Sequence, residues 1–503
     1  MNAFSEANAS FHPVRQRAIA TAILFCIFML GWLCFEIPKG TLVATDELLT
    51  AERSREMLST GPWLVHFNFE PSFEKPPLQY WLTTLTLPRF ANPSLAVRIW
   101  PLTYAALTAV VLAWLVVAIR PDQPWLVALS LVALFSCPLF AAQATRGLLD
   151  IGLAFFTTTT ILFSELARKR PAWWLAVAAS CWLGSLQKNP APFVVWLLIL
   201  AVRSSSSAER PRLKNWQLGL SLFLALAAMS IWPLLQLLRY HMPLWSVFHE
   251  EVIVWLGPTG LGERLYFEIP IRMIINGGVF GLLALLAPFA ILLSKKDTEP
   301  PAVREIALVS LIAVAVLIVS NFRHVRYVIP IVPVVCFLIA ILFWRFMERA
   351  QPVRSLAIIA VAALSISGLI QTKIEIDHLE GKDDRHDAIN TLIPALIVPK
   401  DVTDEKAIAE ELGTVQRDGT KIVLVKSKKA GADLLWDSFY LFHGRLRSPV
   451  SKYTVDEIRL NPPQPPLIGA CVARDLPVVQ QLYPNARVNL ARAQFVCWEV
   501  AAR

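Results

Sequence analysis

The chain has 503 residues, of which 55% are hydrophobic and only 17% are charged. Soluble domains carry about 25% charged residues, so this composition excludes an ordinary soluble protein and indicates a membrane protein. The net charge of +9 is explained by basic loops on the cytoplasmic side of a membrane, and nucleic-acid binding is disfavoured as a function.

Apolar runs of about 20 residues recur along the chain, and each is long enough to cross a bilayer as a helix. The first run follows Arg15 and Arg17 without a convincing cleavage site, so we interpret it as a retained span. The fifth and sixth runs are short and form either a hairpin or one broken helix. The pattern predicts an α-helical polytopic protein with roughly eleven or more spans. The runs are 18–36, 98–119, 124–142, 149–167, 172–186, 190–203, 217–238, 272–293, 304–320, 327–346 and 354–371.

Basic clusters between the apolar runs predict the orientation of the chain. If the spans alternate, all clusters fall on one side of the membrane, which the positive-inside rule assigns to the cytoplasm. The clusters are Arg15 and Arg17, Arg168 to Arg170, Arg203 to Lys214, Lys295 and Lys296, and Arg345 to Arg354. We therefore expect an inner-membrane protein with a cytoplasmic amino terminus and a periplasmic tail.

The segments on the opposite side of the membrane are long and rich in polar and aromatic residues. Residues 37–97 and 239–271 form two large outer loops, which suggest a working surface rather than simple connections. The tail, residues 372–503, is less apolar and has the size of a small domain. The sequence thus predicts a transmembrane domain over 1–371 and a soluble periplasmic domain after it.

The tail has the pattern of a small α/β domain. Residues 421–426 and 467–473 are typical of strands, and residues 476–482 are typical of a helix. Cys471 and Cys497 also lie in this tail. Outside the cytoplasm two such cysteines either pair as a disulfide or remain free, and the sequence leaves both possibilities open.

The first outer loop carries charged residues, and the position of each has two structural interpretations. Asp46 and Glu47 follow the first span, where an acidic pair either faces a cavity or forms a solvated helix cap. Lys75 precedes two prolines and an aromatic segment. Such a lysine either holds a phosphate head group as a point charge or extends its amine to the membrane interface.

The order of these residues resembles a known first-loop signature. Asp46-Glu47, Gly61-x-Trp63, Glu74-Lys75-Pro76-Pro77-Leu78 and Arg98 follow one another along the loop. This ordered set resembles bacterial family 39 glycosyltransferases, which include the lipid A aminoarabinose transferases and are related to protein O-mannosyltransferases. The resemblance covers most of residues 18–346 and implies the GT-C fold.

Further positions agree with the same resemblance. Arg146-Gly147-Leu148-Leu149-Asp150 is similar to a second acidic motif of the family, and His249-Glu250 and Arg326-Tyr327 fit later segments. Lys188-Asn189-Pro190 is similar to a lysine-glycine-proline segment, although Asn189 stands where glycine is usual. The side chain of Asn189 therefore disfavours a close backbone approach at this position.

The resemblance implies transfer of a sugar from a polyprenyl-phosphate carrier to lipid A, another glycan or a protein. Cations at the leaving phosphate would stabilise the transition state more than the ground state. Asp46 is expected to act as the base and Asp150 to assist it or bind substrate. The expected substrate-binding residues are Glu47, Lys75, Arg146, Lys188, Arg323, Arg326 and Tyr327.

Metal binding and nucleotide binding have weaker support. The resemblance implies a possible divalent metal ion at Glu74 and His249, but these residues come from distant loops without dense ligand spacing. A structural histidine and a supporting glutamate are the simpler interpretation. The sequence has no phosphate-cradling glycine loop of the nucleotide type, so a nucleotide-sugar donor lacks support.

Two other classes of protein remain open from sequence. A transporter or flippase of lipid-linked glycans would hide charges near the bilayer midplane and would often show repeated halves. Here the notable charges lie in the outer loops, and no repeat is visible. An envelope assembly protein with an inactive site is the third class.

Overall fold

The computed structural model describes residues 2–43, 45–206, 209–249, 253, 268–295, 299–319, 324–349, 351–379, 403–426, 437–492 and 494–502. The longer helices are Asn2–Glu36, Thr45–Thr60, Pro93–Ile119, Trp125–Phe135, Asp150–Leu166, Trp173–Gln187, Ala191–Ser205, Trp216–Tyr240, Glu268–Leu293, Pro301–Val319, Val332–Met347, Gln351–Leu379 and Thr403–Val415. The shorter ones are Leu78–Thr86, Pro138–Ala141, Leu244–Phe248, Asp437–His443, Val455–Leu460 and Leu476–Leu482. Most of the predicted outer loop 239–271 lies outside the described residues.

Apolar helices confirm a polytopic membrane protein. Within the described residues, 7 helices are long and apolar enough to span a membrane, or 8 if one bent pair counts as a span. They are Gln16–Glu36, Pro93–Ile119, Trp216–Tyr240, Ile269–Leu293, Pro301–Val319, Val325–Met347 and Gln351–Ile374, and the bent pair is Trp125–Phe135 with Pro138–Thr145. This number is lower than the predicted eleven, which is not confirmed.

Three short helices and the bent pair account for the difference between seven and eleven spans. The predicted spans 149–167, 172–186 and 190–203 correspond to helices of 17, 15 and 15 residues. At a rise of about 1.5 Å per residue, such helices fall short of the roughly 30 Å of a hydrocarbon core. The fifth and sixth runs form two separate helices, because the chain leaves the helical conformation at Lys188.

The chain divides into two compact units. The first unit comprises residues 1–38, 73–79 and 98–376, and the second comprises 39–72, 80–97 and 377–503. The sequence-based division at residue 371 placed the whole first loop with the membrane helices. The structure differs because most of this loop joins the tail.

The core of the second unit explains this grouping. Leu42, Leu48 and Val97 of the first loop are buried in one apolar cluster with Ile408 and Leu424 of the tail. Burial of each large aliphatic side chain contributes about 1.5–3 kcal/mol to stability, so packing on the tail stabilises the loop segments. Residues far apart in sequence thereby form one folded unit.

A five-stranded sheet forms the centre of the second unit. Its strands are β3 (Lys421–Lys426), β4 (Val450–Thr454), β5 (Leu467–Val472), β6 (Arg487–Arg492) and β7 (Phe495–Val500). The spatial order is β4-β3-β5-β7-β6. Strand β3 is parallel to β4 and β5, whereas β7 is antiparallel to β5 and β6. A short hairpin, β1 (His66–Phe67) with β2 (Glu70–Pro71), precedes it. The α/β pattern expected in the tail is present.

The register of β5 and β7 decides the state of the two tail cysteines. Cys471 is opposite Val496 and Cys497 is opposite Ala470. Because neighbouring residues of a strand point to opposite faces, the two thiols lie on opposite sides of the sheet. Both cysteines are free. Burial raises the pKa of each thiol to about 12, so both are unreactive side chains of the core.

A buried ionic cluster connects three helices of the first unit. The Arg203 guanidinium donates to Glu305 Oε1 at 2.8 Å and to the Ser164 carbonyl oxygen at 2.7 Å. Arg168 lies 2.8 Å from Glu305 and 2.6 Å from Glu165. The cluster thus ties Asp150–Leu166 to Ala191–Ser205 and Pro301–Val319.

Candidate active site

A buried ion pair forms the centre of the candidate site in the first unit. Lys188 Nζ lies 2.6 Å from Asp150 Oδ1, and the two side chains are only 9% and 3% exposed. Removing two charges from water is costly, and their mutual attraction at hydrogen-bond distance offsets part of the cost. A buried pair of this kind marks a candidate functional site.

The local sequence explains how the two partners reach each other. Asp150 lies in the first turn of the helix Asp150–Leu166, where the positive end of the helix dipole favours a carboxylate. Lys188 follows the helix Trp173–Gln187 with non-helical backbone angles. Asn189, which replaces the usual glycine, accepts a hydrogen bond from the Ala191 backbone N–H at 3.0 Å. It therefore satisfies one amide at the start of the next helix.

Three other predicted residues, one aromatic ring and two cations, act on the Lys188 ammonium group. It lies 4.7 Å from the ring centre of Tyr327, and the Arg326 guanidinium lies 6.0 Å from the same ring. Burial lowers the pKa of Lys188, and the charges of Arg326 and Lys75 act in the same direction, whereas Asp150 raises it. The structure thus brings Lys188, Asp150, Tyr327, Arg326 and Lys75 into one electrostatic neighbourhood.

A chain of amide side chains supports the ion pair. Gln187, next to Lys188, donates from Nε2 to Gln79 Oε1 at 3.0 Å and to the Leu149 carbonyl oxygen at 3.2 Å. Tyr104 donates from its hydroxyl to Gln187 Oε1 at 3.3 Å. These bonds hold Leu149, which precedes Asp150, and Gln187, which precedes Lys188. They therefore help to position both partners of the ion pair.

Sequence reasoning missed the supporting residues Gln79, Gln187 and Tyr104. Gln79 and Gln187 are fully buried, which is uncommon for glutamine. The available signal was a glutamine beside each charged motif, four residues after Lys75 and one before Lys188. The third residue, Tyr104, stands alone in an apolar helix, and no sequence pattern distinguishes it from an ordinary core residue.

The predicted acidic pair of the first loop lies in the second unit. Asp46 and Glu47 occupy the first turn of the helix Thr45–Thr60, where Asp46 is half-buried and Glu47 is 1% exposed. Lys75, in contrast, belongs to the first unit. The helix dipole favours both carboxylates at this position.

The remaining predicted residues are spread over the first unit. Arg146 is buried where a short turn ends, four residues before Asp150. Arg323 lies outside the described residues. Glu74 and His249 are both exposed. In the part of the chain that the structure describes, no group of three or more His, Cys, Asp or Glu side chains is arranged to hold a metal ion.

Comparison with known proteins places these features in a family context. The family model of dolichyl-phosphate-mannose-protein mannosyltransferases matches residues 18–242. This segment contains the predicted first-loop motif, the Asp150 motif and Lys188. The match ends before His249 and Arg326, so it covers the first part of the region 18–346 that carries the sequence resemblance.

Curated relatives are similar over about a third of the chain. An undecaprenyl phosphate-alpha-4-amino-4-deoxy-L-arabinose arabinosyl transferase from Sodalis glossinidius is 32% identical over 173 residues, which is 33% of this chain and 31% of the relative. Another from Pseudomonas savastanoi pv. phaseolicola is 31% identical over 185 residues, 35% of this chain and 33% of the relative. The aligned part thus spans about a third of these relatives' length.

Solved structures agree over almost the whole chain. ArnT from Cupriavidus metallidurans bound to undecaprenyl phosphate has a TM-score of 0.69 at 16% identity, covering 95% of this chain and 97% of that one. The archaeal oligosaccharyltransferase AglB from Archaeoglobus fulgidus has a TM-score of 0.56 at 11% identity, covering 86% and 64%. At such identities the likeness establishes the fold. The chain thus has the GT-C fold, and part of its sequence is similar to the aminoarabinose transferases of glycosyltransferase family 39.

Proposed function

We propose that the chain is an integral-membrane glycosyltransferase that takes its sugar from a polyprenyl-phosphate carrier. The observation that carries the proposal is the buried Lys188–Asp150 pair, with Arg326 and Lys75 acting electrostatically on Lys188. The charges of Arg326 and Lys75 both add positive potential at Lys188, and positive potential favours the binding of a phosphate group. The similarity to transferases that use undecaprenyl phosphate-linked sugars supports the same donor class.

The proposed reaction is a direct displacement at the anomeric carbon. The bond from that carbon to the phosphate oxygen breaks, and a bond to an acceptor oxygen forms. The leaving polyprenyl phosphate gains negative charge, so cations placed at its oxygen stabilise the transition state more than the ground state. Lys75 is assigned to this phosphate, with Arg326 and Lys188 behind it. Attack from the opposite face inverts the anomeric centre.

The two carboxylates are assigned different tasks. A hydroxyl acceptor must lose a proton to a base within hydrogen-bond reach. Asp150 already accepts a hydrogen bond from Lys188 at 2.6 Å, and it is assigned to holding that lysine and orienting substrate. Asp46 is assigned as the base that takes the acceptor proton. A phosphate acceptor, ionised at neutral pH, would not require this proton transfer.

The proposal includes a position in the cell. The basic clusters of the sequence place the amino terminus in the cytoplasm and the reaction on the periplasmic face of the inner membrane. The sheet-containing unit, with the tail from residue 372 onwards, is then periplasmic. A lipid carrier and an envelope acceptor, whether lipid A, another glycan or a protein, would meet at that face.

The decisive experiment measures sugar transfer in detergent from a polyprenyl-phosphate sugar to an envelope extract, with product analysis by mass spectrometry. Wild-type protein is compared with Asp46→Asn, Lys75→Ala and the exposed-lysine control Lys169→Ala. Loss of one group that stabilises the transition state costs roughly 100- to 1000-fold in rate. We expect such losses in the first two variants and none in the control.

Two results would contradict the proposal. Wild-type protein that moves a lipid-linked sugar across a vesicle membrane without transferring it would be a transporter. Full sugar transfer to a hydroxyl acceptor by Asp46→Asn would show that Asp46 is not the base. The proposed class of sugar donor would not be affected by that result.

A further inference from the structure

A large cavity lies entirely within the second unit. Its volume is about 1120 Å³, and its lining includes Arg55, Lys406, Arg445, Arg447, Phe90 and Phe442. Small-molecule sites typically measure about 300–1000 Å³. The cavity is therefore larger than a single phosphate or monosaccharide requires. None of its lining residues takes part in the Lys188–Asp150 site.

The lining carries an excess of positive charge. Four basic side chains face a single acidic one, Glu410. Arg55 is compensated by Glu52, which accepts two of its hydrogen bonds at 2.7 and 2.5 Å. Lys406 lies 3.8 Å from Glu410, a distance typical of a weak surface pair. Among the described residues, Arg445 and Arg447 have no ion-pair partner, so their charges supply the excess.

The backbone presents these two arginines from a fixed segment. Leu446 between them is fully buried, and its carbonyl oxygen accepts a hydrogen bond from Arg55 at 2.9 Å. Arg445 follows the helix Asp437–His443 in the left-handed conformation, with φ of 48°. Glycine normally holds such a position, and a larger residue costs about 1 kcal/mol. An arginine at this position lowers stability, which indicates that its side chain has a function.

Two neighbouring features reinforce the electrostatic field of the cavity. The helix Pro93–Ile119 begins at its wall, and its positive end adds to the arginine charges. His443 also lines the cavity, but burial lowers its pKa to about 4, so it is neutral at physiological pH. Around neutrality the charge of the lining is therefore set by its arginines, Lys406 and Glu410.

We propose that this cavity binds a phosphorylated saccharide. Arginine guanidinium groups match the geometry of phosphate oxygens and bind them through paired hydrogen bonds. The volume accommodates a sugar of more than one ring, and Phe90 and Phe442 offer apolar surface to its ring faces. The inference rests on the cavity itself and does not depend on the transferase activity proposed above.

The test is equilibrium binding to the full-length protein in detergent. The probes are trehalose 6-phosphate, neutral trehalose, inorganic phosphate and a hexaglutamate peptide, together with bicelles containing a phosphorylated glycolipid. The double variant Arg445→Gln/Arg447→Gln is compared with Arg417→Gln/Arg487→Gln, which removes two exposed arginines of the same unit outside the cavity. Both variants keep the buried core.

We expect the first double variant to bind trehalose 6-phosphate about tenfold more weakly or worse, equivalent to about 1.4 kcal/mol, and the control variant to match wild type. Neutral trehalose should bind far more weakly than its phosphate. Tighter binding in bicelles would assign the saccharide to a lipid, and equal affinity would assign it to a soluble molecule. The saccharide inference is wrong if both variants bind like wild type, if inorganic phosphate binds as tightly as the sugar phosphate, or if the peptide binds most tightly.

Discussion

The ammonium nitrogen of Lys188 lies 2.6 Å from Oδ1 of Asp150, where both side chains are almost completely shielded from solvent. The pair joins the end of one short helix to the start of another. Its partners Gln187 and Tyr327 fill the same region through a hydrogen-bonded amide and an aromatic face. The charged centre of the candidate site is therefore also a structural junction.

The first prediction separates these two roles of the pair. Lys188→Met alone should lower the free energy of unfolding by about 3–5 kcal/mol, because a buried charge loses its partner. Asp150→Asn alone should lower it somewhat less, because asparagine is neutral. The double variant should lose less than the sum. Thermal unfolding in detergent measures the stabilities. Sugar transfer should stay low in the double variant, and recovery of transfer with stability would make the pair purely structural.

The second prediction concerns Gly152. A Cβ atom there would lie 2.4 Å from Gln187 Nε2, so Gly152→Ala must displace the amide that bonds Gln79 and Leu149. Alanine favours a helix by about 1 kcal/mol over glycine, whereas a buried unsatisfied amide costs about 1–3 kcal/mol. We expect reduced transfer with no gain in stability. Gly219→Ala, where nothing lies within 4 Å, should be neutral or stabilising. Equal behaviour of both variants would contradict the proposed support by Gln187.

The third prediction tests the ionic cluster of the first unit. Glu305 accepts hydrogen bonds from both Arg203 and Arg168 at 2.8 Å, so Glu305→Gln leaves two nearly buried arginines with less compensation. We expect a loss of about 3–5 kcal/mol in the free energy of unfolding. Arg203→Lys keeps the charge but loses the paired geometry, so it should also destabilise. The exposed Arg170→Lys should leave the unfolding temperature unchanged, and an equal shift in all three would refute the assignment.

The fourth prediction concerns pH and Glu56 in the second unit. Burial and the charge of Glu52 raise the pKa of Glu56 to about 7 from its usual 4.5. Between these values the folded state binds more protons than the unfolded state, so stability falls as the pH rises from 4.5 to 7 and then levels.

Glu56→Gln removes this titration while keeping an acceptor for the Phe69 N–H. The difference between the unfolding temperatures of the variant and the wild type should therefore grow in favour of the variant from pH 5 to pH 8. Glu410→Gln, at an exposed position of the same unit, is the matched control. A difference that is independent of pH would show that Glu56 does not titrate in this range.

The candidate site was partly visible in the sequence. Asp150, Lys188 and Tyr327 belong to short motifs with charged or aromatic residues at the ends of apolar runs, and the structure brings these three together. Gln187 was signalled only by its place next to Lys188, and Tyr104 was not visible, because a buried phenol acts through contacts that no local pattern encodes. The catalytic roles of Asp46 and Lys75 stay predictions.

The sequence by itself determined the class of the protein. Long apolar runs are unfavourable in water, and each run can satisfy its own backbone hydrogen bonds as a helix in a membrane. Ordered charged motifs likewise gave the family resemblance. Only the tertiary structure decided that residues 39–72 and 80–97 belong with the tail, and that Cys471 and Cys497 face opposite sides of a sheet. Those outcomes depend on long-range packing and strand register, since burial of apolar surface selects partners by shape and not by distance along the chain.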